Sequence, residues 1–367
     1  MTLPHVIESA HELPRVVYTI VSMSRSRVAI INVTGYIGVD LARILLRHPG
    51  IDLVCVTGRS AAGQALTDVF PHLSDTDLVI KPQLDTEVDL VFSSMPHRAS
   101  AEIVGPLVKD GMKVIDVSAD FRLKSRKEYE AWYQVAHPYP ELLAEAVYGL
   151  PELHRDEIRG AHLVANPGCY PTGALLAIAP AVAAGIVQGD IIVDSKSGVS
   201  GAGRSLSLMT HYAECNESTA AYSLGGHRHE PEIVQEARLL GKVGTIIFQP
   251  HLVPMSRGIL STCYIPLSPV WRDSIDDPVR RVTDMYHEFY ADAPFVHVVA
   301  SPPATKHVWG SNYCHVFPYY DVRTGRLLVV SCIDNLVKGG AGQAVQDMNL
   351  MLGLGETQGI DALPVYP

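Results

Sequence analysis

A strand-turn-helix pattern near residue 30 constrains this 367-residue chain more than any other feature. Val28-Ala29-Ile30-Ile31 reads as a buried strand, and after the turn holding Asn32 and Thr34, Gly35-Tyr36-Ile37-Gly38 opens a new segment. That segment carries Val39, Ala42, Leu45 and Leu46 at helical spacing. Strand-like runs recur at Leu53–Thr57, Asp89–Ser93 and Lys113–Val117, with intervening segments long enough for helical crossovers. The pattern predicts a parallel, Rossmann-like sheet in the first half.

The character changes after Asn166-Pro167-Gly168. Runs bounded by turn signals at Ile191–Asp194, Thr245–Gln249, Leu260–Pro266 and Leu327–Ile333 predict a mainly antiparallel second sheet. Near the end, Gly339-Gly340-Ala341-Gly342 leads into Ala341, Ala344, Val345, Met348 and Leu352 on one helical face, a helix expected to return to the first domain. The chain exceeds a usual single core, so two domains are expected. The boundaries drawn are an N-terminal extension over 1–26, a nucleotide-binding domain over 27–168 and 335–367, and a second domain over 169–334. Met23 is a candidate start, leaving the existence of residues 1–22 open.

A hydrophobic share of 47% and a charged share of 19% describe an ordinary folded chain rather than a disordered one. The net charge of -10 leaves no basic excess for a phosphate backbone, which excludes nucleic acid as the main partner. No apolar run reaches the roughly 18 residues needed to span a bilayer, and Val16–Met23 lacks the basic region of a secretory signal. A cytoplasmic, membrane-free enzyme is expected. The six cysteines are scattered, without paired spacing, as for free thiols in a reducing compartment, and no metal is expected.

Cys169 is the sharpest chemical feature. It follows Asn166-Pro167-Gly168 and precedes Tyr170-Pro171-Thr172-Gly173-Ala174, which reads as the start of a helix. A thiolate there is favoured by the helix dipole and free amides, whereas a cysteine without function would be a small buried hydrophobe. His227 and His229 flank Arg228 in a glycine-rich entry to another helix, and either histidine offers a base, the alternative being structural roles. Thr57-Gly58-Arg59-Ser60 stands where an NAD site carries an acidic residue, so Arg59 and Ser60 favour the 2′-phosphate of NADP unless Arg59 is a solvated loop residue. Ser197–Arg204 is a small-residue loop, flanked by the cations Lys196 and Arg204, able to cradle a phosphate or a nicotinamide ring or to serve as a plain turn.

The run Ala165-Asn166-Pro167-Gly168-Cys169-Tyr170-Pro171-Thr172-Gly173 resembles the signature of the N-acetyl-γ-glutamyl-phosphate reductase family, which is related to aspartate-semialdehyde dehydrogenases. Arg59–Gly63, Pro96-His97, Asp120-Phe121-Arg122, Ser197–Arg204, His227–Glu232 and Ile333–Gly339 extend the resemblance over nearly the whole chain from about residue 27. It implies an α/β fold with a Rossmann-like NADP-binding domain and an α+β catalytic and dimerisation domain. It implies Cys169 as nucleophile and His227 as acid/base, with His229, Arg122, Lys196 and Arg228 around the small-molecule acyl phosphate. It implies a cofactor site at Thr34, Gly35, Tyr36, Gly38, Arg59, Ser60, Ser200, Gly201 and Asn335, and a homodimer or homotetramer. The implied reaction is NADPH-dependent reduction of N-acetyl-γ-glutamyl phosphate to the semialdehyde, in arginine biosynthesis. Asn32 departs from the glycine that the family's first turn usually carries. The alternatives are a different acyl group, such as aspartyl phosphate or a carrier-bound glutamate or aminoadipate derivative, and a catalytically silent NADP-binding module.

Overall fold

The computed structural model describes residues 25–367, so most of the expected N-terminal extension lies outside the described residues. The first sheet contains β1 (Ser26–Ile31), β2 (Ile51–Thr57), β3 (Ile80–Lys81), β4 (Leu90–Ser93), β5 (Lys113–Asp116), β6 (Val147–Tyr148) and β7 (Leu163–Ala165). Its strands run β3-β2-β1-β4-β5-β7-β6 and every pairing is parallel. Strands buried on both faces need continuous apolar runs, and β4 supplies one in Leu90, Val91 and Phe92. Strand order reverses between β1 and β4, which opens a crevice beyond their carboxyl ends.

The second sheet contains β8 (Ile191–Gly198), β9 (Ala220–Ala221), β10 (Ile246–Val253), β11 (Ile259–Pro266), β12 (Val296–Val298), β13 (Cys314–Asp321) and β14 (Arg326–Ile333). Its order is β12-β13-β14-β11-β8-β10-β9. The central β13-β14-β11-β8 ribbon is antiparallel, while β12 on β13 and β10 on β8 are parallel. The expected antiparallel character therefore holds in the body of the sheet and fails at β10, which the Glu230–Leu240 helix precedes, and at β12, which a loop with one short turn joins to β13. Alternation along β8 buries Ile191, Val193, Ser195 and Ser197 on one face, under the Cys169–Ala183 helix. That helix is apolar all round because it lies inside the second core, touching both the sheet and the Glu230–Leu240 helix.

The C-terminal helix does return to the first core, where Ala341, Ala344, Val345 and Met348 pack with Leu41, Leu45 and Ile115. It differs from the expected one-sided helix. The chain first makes a π-helical turn over Val337–Ala341, and the following Gly342–Met351 helix is buried on every side. Leu352 is only its C-cap. One buried charge beside it is paired: Lys338 Nζ, in the π-helical turn, donates to Glu152 Oε1 at 2.7 Å and to Gln346 Oε1 at 2.8 Å.

Candidate active site

Three helix starts and two loops meet beyond the carboxyl ends of the first sheet. The β1 turn supplies the first start. Asn32 adopts a left-handed φ of 64°, a conformation asparagine tolerates better than most side chains. Its Nδ2 donates to the Ser94 carbonyl at 2.8 Å, tying the turn after β1 to the end of β4. The departure from glycine thus leaves the turn shape intact. Gly38 is required for packing: a Cβ there would stand 2.7 Å from the carbonyl oxygens of Asn32 and Val33. The Tyr36–Leu45 helix has no side-chain cap, so its first amides are free for an anion.

The second start is Cys169 itself, first residue of the Cys169–Ala183 helix, with Gly168 before it and no side-chain cap. A Cβ on Gly168 would meet His229 Nε2 at 2.7 Å and Arg122 Nη1 at 2.9 Å. The third start brings His227 and His229 to the head of the Glu230–Leu240 helix. Buried Glu232 in its first turn binds the assembly together: Oε1 accepts from Arg122 Nη1 at 3.0 Å, and Oε2 accepts from the Gly168 amide and the Tyr148 hydroxyl, each at 3.1 Å. On the far side, Gly339 of the π-helical turn leaves no room for a side chain, its Cβ position lying 2.8 Å from Cys169 Cβ.

Burial pushes the Cys169 thiol up to about 11, against the opposing pull of Arg122, the Tyr170 amide and Arg228. The dipole argument made from the sequence is present in the Tyr170 amide but is outweighed by desolvation. Burial, and then the charge of Arg228, lowers His227 to about 4. Burial also takes His229 well below its ordinary value, with His227, Arg122 and Arg228 acting the same way. The resting site at neutral pH therefore holds a neutral thiol and neutral imidazoles. His227 Nδ1 accepts from the His229 backbone amide at 3.1 Å, so its proton sits on Nε2.

A cavity of about 540 Å³ runs from Thr34, Gly35 and Tyr36 to Cys169, and is lined also by Arg122, Arg228, His229, Ser200, Gly201 and Asn335. An adjoining cavity of about 480 Å³ brings His227 to the other side of Cys169. Asn335 fixes the loop between them, accepting from the Gly258 amide at 2.7 Å and donating to Ser200 Oγ at 2.9 Å. Ser60 and Thr34 line a third, smaller cavity, whereas Arg59 is exposed and lines none of the three.

One expectation needs correction. Lys196 does not reach the substrate cavity, because strand alternation turns it to the sheet face opposite Ser195 and Ser197, where it pairs with Asp194 at 2.6 Å. Arg122 does line the cavity, where Nη1 and Nη2 donate to Glu232 and to the Val117 carbonyl, and Arg228 and Arg204 line it as exposed guanidiniums. Glu232 and His97 stood within the motifs His227–Glu232 and Pro96-His97, but sequence reasoning gave neither a role. The first was signalled only by its place three residues after His229. The second lies 2.9 Å from Arg228 Nη1 across the domain boundary. Among the described residues no cluster of His, Cys, Asp or Glu is arranged to hold a metal ion, and no helix is long and apolar enough to cross a membrane.

Comparison with known proteins bears on this arrangement. Residues 27–161 match a family described as semialdehyde dehydrogenase, NAD binding domain, and residues 169–335 match semialdehyde dehydrogenase, dimerisation domain. N-acetyl-gamma-glutamyl-phosphate reductase of Dehalococcoides mccartyi (strain ATCC BAA-2266 / KCTC 15142 / 195) is 52% identical over 94% of this chain and 100% of its own. The enzyme of that name from Symbiobacterium thermophilum is 49% identical over 93% of this chain and 99% of its own. Aspartate semialdehyde dehydrogenase II of Vibrio cholerae shares the fold with a TM-score of 0.68 at 18% identity, over 90% of this chain and 99% of that one. The Candida albicans aspartate semialdehyde dehydrogenase with NADP gives 0.66 at 15% identity, over 90% and 99%.

Proposed function

This chain belongs to the N-acetyl-γ-glutamyl-phosphate reductase family of semialdehyde dehydrogenase type, and from that premise we propose that it reduces N-acetyl-γ-glutamyl phosphate to the semialdehyde with NADPH, through a thioester on Cys169, as a step of arginine biosynthesis. The observation that carries the reading is the placement of Cys169 at an uncapped helix start, between the dinucleotide groove and two neutral histidines. The groove suits a dinucleotide: free amides at the Tyr36–Leu45 helix start face a turn kept narrow by Gly38. When bound, the nicotinamide cofactor supplies a hydride.

As the acyl phosphate enters, its negative charge is met by Arg228, with Arg122 behind it, and the thiol gives its proton to His229, beside Gly168, rather than to the His227 that the resemblance implies, because His227 Nδ1 is taken by the His229 amide and its Nε2 already carries a proton. Sulfur bonds to the acyl carbon, and phosphate leaves with the bonding pair and takes a proton from solvent. The Tyr170 amide, which faces the Cys169 sulfur, would hold the thioester sulfur, and His227 Nε2–H would support the negative charge that develops on its oxygen during reduction. Collapse restores the carbonyl as aldehyde and releases the thiolate, which recovers its proton from His229. Asn335 and Ser200 keep the loop over this centre in place.

We also assign a homodimer. The face of the second sheet away from the Cys169–Ala183 helix leaves Ile192, Ile247 and Tyr319 exposed, an apolar surface that suits a second copy. The matched dimerisation domain supports that assignment.

The test is the reverse reaction, reduction of NADP⁺ in the presence of N-acetylglutamate semialdehyde and phosphate. A phosphate-dependent signal lost in Cys169→Ser is expected. Its absence with this aldehyde and its presence with aspartate semialdehyde would reassign the acyl group.

A further inference from the structure

We propose that Arg204, delivered from the second domain, is the cation that reads the 2′-phosphate of the cofactor, ahead of Arg59. The inference rests on the NADP reading above. In a Rossmann-like site the adenosine ribose lies past the end of the second strand, next to the turn that receives the pyrophosphate. Here those positions are Gly58–Ser60 and Asn32–Gly35, and they adjoin: a Cβ on Gly58 would stand 3.0 Å from Thr34 Cγ2. The cavity between them, of about 400 Å³, is lined by Thr34, Ser60, Ala61, Gln64, Val69 and Arg204.

Its chemistry is selective in two ways. No carboxylate lines it, so it lacks the group that accepts from the free ribose hydroxyls of NAD(H). Its one lining cation is Arg204; Arg59 is exposed and does not line it. Arg204 is also held in position. Gly203 before it takes a φ of 76°, which turns the loop back toward the first domain. Arg204 Nη1 then donates to the Thr34 carbonyl at 2.8 Å, and the guanidinium lies 5.5 Å from the centroid of the Phe70 ring. One Nη engaged in this way leaves the rest of the planar fork for phosphate oxygens.

The arrangement also couples recognition to the reaction centre. Ser200 and Gly201, a few residues before Arg204 in the same loop, line the cavity of Cys169. A 2′-phosphate drawing on Arg204 therefore seats the stretch that covers the nicotinamide end of the groove.

Calorimetric titration of the full-length enzyme with NADPH, NADH, 2′,5′-ADP and 5′-AMP tests this without requiring turnover. Arg204→Ala is expected to weaken NADPH and 2′,5′-ADP at least tenfold while leaving NADH and 5′-AMP within twofold, and Arg204→Lys to fall between. Arg59→Ala is expected to cost less than threefold for every ligand. A tenfold loss confined to Arg59→Ala would overturn the assignment in favour of Arg59, and equal losses of NADPH and NADH in Arg204→Ala would reduce Arg204 to a loop anchor. Wild-type protein binding both cofactors alike would refute the NADP reading itself, and the inference with it.

Discussion

The Gly168-Cys169 turn and the Ser200–Leu208 loop face one cavity, yet they are held in opposite ways. The turn is clamped by buried groups on each side: Glu232 on the Gly168 amide, His229 and Arg122 against Gly168, Gly339 against Cys169. The loop is exposed from Gly201 through Met209, and Leu206 has no covering at all. Its side-chain ties are Ser200 to Asn335 and Arg204 to Thr34. A nucleophile gains from a position fixed before substrate arrives, whereas a segment that must admit and release a dinucleotide is drawn from the low-stability end of the fold.

The contrast can be broken first at Glu232. Glu232→Ala leaves Arg122 buried without its partner and should cost about 3–5 kcal/mol in denaturant unfolding. A cost below about 1 kcal/mol would mean that the clamp is decorative.

Acid should act on the same region. The unfolded His227 imidazole binds a proton below its ordinary 6.5, whereas the folded one resists protonation down to about 4. Stability is therefore present above about 6.5 and is lost as pH falls through that window, by on the order of 2 kcal/mol from this residue. His227→Gln should flatten the pH dependence of the urea midpoint between those values. An unchanged slope would contradict the burial of the ring.

Thiol reactivity gives a finer reading. With Cys169 raised to about 11, its alkylation by iodoacetamide, followed on the Cys169 peptide, should climb about tenfold per pH unit between roughly 7 and 9 in the free enzyme. A plateau by neutral pH would indicate a resting thiolate. The smallest effect belongs to the loop, where Leu206→Ser should move global stability by less than about 0.5 kcal/mol. A larger loss would show that this loop is packed in solution.

The same contrast governs what was legible in the sequence. Periodicity located β1, β2, β4 and β5 of the first sheet and β8, β10, β11 and β14 of the second, because burial on one or both faces writes itself into apolar spacing; it passed over β13 and the short strands β3, β6, β7, β9 and β12. Cys169 at a helix start was legible from Gly168 and Pro171. Lys196 was misplaced because proximity in sequence to a functional loop says nothing about which face of β8 a side chain takes. The placement of Arg204 was not legible, since nothing in the sequence says that a loop of the second domain reaches Thr34. Glu232 stood within a motif but was given no role, because a carboxylate in the first turn of a helix usually reads as solvated charge, and its partners Arg122 and Tyr148 are distant in sequence. The turn at Asn32 needed its φ to show that asparagine serves where glycine was expected.

The central claim is that Cys169 carries the acyl group. Incubating the enzyme with freshly prepared N-acetyl-γ-glutamyl phosphate, without nicotinamide cofactor, and mapping the product by peptide mass spectrometry after acid quench tests it directly. The account predicts one hydroxylamine-labile N-acetylglutamyl adduct on the Cys169 peptide, absent from Cys169→Ser and discharged on adding NADPH. Full turnover by Cys169→Ser, or an adduct on another residue that NADPH discharges, would contradict it.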